Sequence, residues 1–79
     1  MDPDEVKNKI ESSFPAPYRC IAKLQDYKDK ISCHILNSDG KIIIRIPLIE
    51  INKIDNESSL LSFIRQIKET IRSKGYPID

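Results

Sequence analysis

Glycine is scarce in this chain of 79 residues: it has two, alongside two cysteines, one histidine, one methionine and no tryptophan. Each scarcity removes a class of function. Two glycines do not build a phosphate-cradling loop. Two cysteines are too few for a secreted disulfide scaffold. One histidine and two cysteines, with no Cys-x-x-Cys or His-x-x-x-His spacing, supply no tetrahedral zinc set, and no cofactor is expected. No apolar run approaches the ~20 residues of a membrane span, and the charged start Met1-Asp2-Pro3-Asp4-Glu5 is unlike a secretory signal. The expected compartment is therefore the cytoplasm. An excess of either charge is also missing. Thirteen Lys and Arg against twelve Asp and Glu leave +1, which argues against bulk electrostatic binding to nucleic acid.

What the chain does have is a globular balance, 39% hydrophobic and 32% charged, in a length that makes one small domain, residues 1–79. Isoleucine is abundant, so the core is expected to be aliphatic. A first helix is marked by Asp2 as cap, Pro3 at the first helical position and Asp4 and Glu5 at the positive end of the dipole. Val6, Ile10 and Phe14 give it one apolar stripe, and Pro15 and Pro17 end it.

Three alternating segments follow. The first turns Tyr18, Cys20, Ala22 and Leu24 to the core. After a polar turn, Asp26 to Asp29, the second turns in Ile31, Cys33 and Ile35. Asn37-Ser38-Asp39-Gly40 is the strongest turn signal in the chain. The third segment is expected to bury Ile42, Ile44 and Ile46, with Pro47 ending regular pairing. An antiparallel register across both turns matches inward residues with inward ones, setting Cys33 near Ala22 and Cys20 near Ile35. Leu48 to Ile54 is a connector, either irregular or a further short strand, whose Ile49, Ile51 and Ile54 are placed to close the core edge. A longer helix then starts at Asp55 or Asn56. It carries Leu60, Ile64, Ile67 and Ile71 on one stripe, flanked by Leu61 and Phe63, and stops at Gly75 and Pro77. The fold class is α+β: a three-stranded antiparallel meander with two helices on one face, in the order α-β-β-β-α.

Ile10-Glu11-Ser12-Ser13-Phe14 followed by Arg19-Cys20, then strand, Gly-containing turn, strand and Leu/Ile-rich final helix, resembles a family of short uncharacterised bacterial proteins known mainly from pseudomonads. The resemblance runs from about Val6 to Arg72. Ala16-Pro17-Tyr18 lengthens the link to Arg19, and Pro47 to Lys53 lacks the small residues of that family. The resemblance implies no activity. The same element order occurs in double-stranded-RNA-binding domains, which place a Lys-rich cluster at the start of the last helix. Here that position reads Asp55-Asn56-Glu57-Ser58-Ser59, acidic where a phosphate would sit.

No catalytic constellation emerges, and the expectation is a protein that is not an enzyme. Cys20 and Cys33 face the core by parity, where thiols act as small hydrophobes, and His34 points to the face opposite Cys33. The register also argues against a disulfide between them. The candidate site is the other face of the sheet. Its outward positions are Arg19, Ile21, Lys23 and Gln25, then Ser32, His34 and Leu36, then Ile43 and Arg45. Within those segments there is no Asp or Glu, a local asymmetry inside a near-neutral chain. Arg19, Ile21, Lys23, His34, Leu36, Ile43 and Arg45 thus form an expected binding face for a protein partner or a second copy. Nucleic acid is the alternative occupant, disfavoured because no aromatic residue falls on that face for stacking.

Overall fold

Asp2 opens the first helix as its sequence position predicts. The computed structural model describes residues 1–78, and in it α1 spans Pro3–Ser12. Asp2 has extended backbone, and its Oδ1 accepts the Glu5 N–H at 2.9 Å, satisfying one of the donors that a helix start leaves without a partner. Val6 and Ile10 are fully buried, and Phe14, just past the helix, joins them. The chain then crosses Pro15 and a cis Ala16–Pro17 bond into the sheet. The Tyr18 hydroxyl, at that entry, donates to the Pro77 carbonyl at 2.6 Å.

The sheet has the order β1-β2-β3, all antiparallel, with β1 at Arg19–Gln25, β2 at Lys30–Leu36 and β3 at Ile42–Glu50. Between β1 and β2 the register is regular, with Cys20 opposite Ile35 and Ala22 opposite Cys33, the pairing that the alternation predicts. Cys20, Ala22, Ile31, Cys33 and Ile35 are all buried.

The third strand departs from expectation, and the cause is local. Ile35 faces Ile44 while Leu36 faces Ile42, so one extra residue, Ile43, is inserted there. A bulge of this kind shifts the parity of a strand by one. Ile44 stays buried and Ile46 half-buried, but Ile42 moves to the outer face beside Leu36 and is 38% exposed. Ile43 moves the other way and packs half-buried against the core. The expected parities of Ile42 and Ile43 are therefore exchanged. A second irregularity lies between the Cys33–Ile46 and Ile31–Ile49 pairs and absorbs Pro47 and Leu48, so β3 resumes beyond the proline and runs to Glu50. Proline is tolerated here because β3 is an edge strand. Glu50 faces Lys30, so the strands are not wholly free of acids.

A short 3-10 turn, Ile51–Lys53, carries Ile51 and Ile54 into the core. The final helix α2, Glu57–Ser73, is capped by Asn56, whose side chain accepts the Ser59 N–H at 2.9 Å. Leu60, Ile64, Ile67 and Ile71 are buried, Phe63 is half-buried, and Leu61 is exposed. At its end the Gly75 N–H reaches the Arg72 carbonyl and the Tyr76 N–H the Ile71 carbonyl. This double closure needs a left-handed residue, supplied by Gly75 at φ +93°.

Both helices cover the inward face. Helix α1 lies close against β1, and α2 approaches no strand so nearly. The core is isoleucine-rich, with Ile10, Ile31, Ile35, Leu60, Ile71 and Val6 its most deeply buried members, and no polar or charged residue is buried with them among the described residues.

Candidate functional site

Pairing across the sheet arranges the outward residues in rows. Arg19 faces Leu36, which faces Ile42; Ile21 faces His34, which faces Arg45; Lys23 faces Ser32. Arg19, Ile21, Lys23, Ile42 and Arg45 are exposed, while Ser32, His34 and Leu36 on the central strand are half-buried by their neighbours. The aliphatic members are Ile21, Leu36 and Ile42. Ile43, expected among them, belongs to the core side because of the bulge. Leu48, beside Pro47, is 45% exposed and extends the apolar surface of β3. At one end of the face the Gln25 side-chain amide donates to Ser32 Oγ at 2.9 Å.

The ion pairs among the described residues are Lys7–Glu11, Lys28–Asp4 and Lys30–Asp26. None engages Arg19, Lys23 or Arg45. These three cations therefore ring the Ile21–Leu36–Ile42 surface without a carboxylate partner among the described residues. The arrangement can receive apolar contact at its centre and negative charge at its margin, the usual division between an interface core and its rim.

Ile42 was beyond sequence reasoning because Ile42-Ile43-Ile44 is a run of one residue type, which carries no alternation to read. The nearest signal is the preceding turn. Gly40 takes φ +78°, and Asn37 Oδ1 accepts both the Asp39 and Lys41 N–H groups at 3.0 Å. A left-handed glycine closing a short hairpin loop often accompanies a bulge.

The cysteines sit diagonally on the inward face, Cys20 opposite Ile35 and Cys33 opposite Ala22, as buried neighbours. The neighbouring Cys33, burial and the Glu11 carboxylate together push the Cys20 thiol far above its ordinary value. The same neighbour lowers Cys33 against the opposing effect of burial. Both are free thiols, buried in the core. No group of three or more His, Cys, Asp or Glu among the described residues is arranged to hold a metal ion, and no helix among them is long and apolar enough to cross a membrane.

The β1–β2 hairpin shows a feature that composition did not announce. Asp26, Tyr27 and Lys28 are all left-handed, at φ +51°, +53° and +69°. Non-glycine residues rarely adopt this region, and a run of three stores strain. Tyr27 stands fully exposed at the tip, while Lys28 reaches Asp4 at 2.9 Å and Lys30 reaches Asp26 at 3.2 Å. Comparison with protein-family models, with curated proteins and with solved structures finds no match.

Proposed function

We propose that this domain is a non-enzymatic interaction module that binds a protein partner through the outer face of its sheet. The observation that carries the reading is the set of cations with no ion pair among the described residues, Arg19, Lys23 and Arg45, around the exposed or half-exposed Ile21, Leu36 and Ile42. Ordinary solvated sheet faces also carry lysine and arginine, but they commonly pair them with acids across strands. A second copy is a poorer occupant than a partner acidic at its margin, because face-to-face self-association sets these cations against one another. Three strands of this length present roughly 300 Å², well below the ~800 Å² per partner of a standard interface. The expected complex is weak and transient, or extends beyond the sheet face.

A photoreactive side chain at position 21, with one at the exposed Leu61 as control, tests the reading in lysate. A discrete protein cross-linked from position 21, absent from position 61 and lost in Arg19→Glu/Arg45→Glu, is the expected result. Equal labelling from both positions sinks it. Light scattering at rising concentration addresses the homomeric version, for which a clean monomer is the negative. Gel shifts at ~50 mM salt address the rival reading, since phosphate contacts are strongest there and fade steeply as salt rises.

A further inference from the structure

The two edges of the sheet are treated differently. At β1, the Ala22 N–H donates to Glu11 Oε2 at 3.0 Å, so a helix carboxylate occupies an edge donor and α1 lies alongside. At β3 no such cover exists among the described residues. Adjoining shallow depressions that share Ile43, Ile44 and Thr70 lie between β3 and α2, floored by Ile43, Ile44 and Ile46 and walled by Phe63, Ile67 and Thr70. Every second residue of an antiparallel edge turns its N–H and C=O away from its neighbour, ready for another strand. The β3 rim from Lys41 to Pro47 is about 20 Å long at strand rise, enough for a five-residue segment with its ends free.

Charge selects the occupant. Lys41, Arg45 and Lys74 line the groove, and among the described residues no Asp or Glu does. Pairing β3 with β3 of a second copy would bring these cations together, and like charges directly opposite destabilise a pair. We infer that β3 accepts an extended segment of another protein as a fourth strand, with apolar side chains turned toward Phe63 and Ile67 and acidic ones toward Arg45. This site shares Arg45 and Ile42 with the margin of the outer face but not its centre at Ile21 and Leu36. Strand addition draws affinity from main-chain bonds and specificity from alternate side chains, which suits a groove apolar on one side and cationic on the other.

The probe is an acetylated, amidated Val-Glu-Val-Glu-Val peptide, with Val-Lys-Val-Lys-Val as control, titrated into the isotope-labelled full chain and followed by amide NMR shifts. Expected are saturable shifts confined to residues 42–46 and 63–74, half-saturated below about 1 mM at low salt, with the lysine peptide at least tenfold weaker. Arg45→Glu should reverse the preference between the two peptides. Thr70→Trp fills the groove and should abolish binding; if that variant melts abnormally, Gln66→Trp replaces it. Ile21→Glu disables the outer face and should leave this binding unchanged, so the two surfaces fail separately. The inference is overturned by any of three results: no saturable shift in β3 at about 5 mM peptide, equal binding of both peptides, or β3 shifts that follow protein concentration without peptide, which would mean self-pairing.

Discussion

Three consecutive isoleucines carry three different burdens. Ile44 lies in the core, Ile43 packs against it half-buried, and Ile42 is on the outer face. Ile44→Lys is expected to cost several kcal/mol, about the penalty for a buried charge without a partner, and to unfold so small a domain. Ile42→Lys should stay within about 0.5 kcal/mol, as exposed substitutions do. Ile43→Lys should fall between, because its long stem can carry the amine back to water. Thermal melts of the three variants check the bulge directly; equal losses at positions 42 and 44 would mean that both faces are covered. Asp2 offers a second test at this scale. The hydrogen bond from the Glu5 N–H holds its carboxyl below the ordinary carboxylate value. A depressed folded-state value stabilises above the unfolded value and is lost as pH falls through the folded one. The advantage of the native chain over Asp2→Asn, which keeps a neutral cap, should therefore be constant above about pH 5 and shrink toward pH 2. Melts across that range would show it.

At the scale of elements, the helices were the most legible. Their caps, stripes and stops are written in residues with one strong local reason each: Asp2, Pro3, Asn56, Gly75. Strands β1 and β2 were legible because Ala22-Lys23-Leu24-Gln25 and Ile31-Ser32-Cys33-His34 truly alternate. The third strand was not, since an isoleucine run has no parity and the bulge depends on how the Asn37–Gly40 turn closes. The outer-face candidates carried over except Ile43, while the β3 groove was invisible, because it exists only once α2 is laid beside an edge. The strain in the β1–β2 turn was equally hidden, as Asp26-Tyr27-Lys28 reads as an ordinary polar turn. It yields a prediction that runs against habit. Tyr27 is fully exposed at φ +53°, and the left-handed region costs a non-glycine residue about 1–2 kcal/mol. Glycine returns about 0.5–1 kcal/mol of that through its freer unfolded chain. Tyr27→Gly should therefore raise stability by about 0.5–1 kcal/mol, or a few degrees in Tm. A lowered Tm would show that the turn is not strained. Gly75→Ala is the converse case. Open space surrounds the position, so its cost should come from backbone alone, about 1 kcal/mol, read in denaturant midpoints.

For the whole molecule, the helix carboxylate on β1 has a consequence for assembly. A filament grows by head-to-tail contact only if each unit presents two complementary ends. With Glu11 seated on Ala22, this sheet has one open end and one stopper, so any strand that joins β3 terminates the ladder. Removing the stopper should change the kind of association and not merely its strength. Glu11→Ala leaves the Ala22 donor without its partner and also removes the Lys7–Glu11 pair, the latter a contribution of only about 0.5 kcal/mol. Light scattering at high concentration is expected to show open-ended, concentration-dependent growth for this variant where the native chain stops at a defined size. Equal behaviour of the two would mean that α1 itself, and not the carboxylate, closes that side. Growth in the variant alone would mean that one side chain decides stoichiometry, holding the native domain to complexes of finite count.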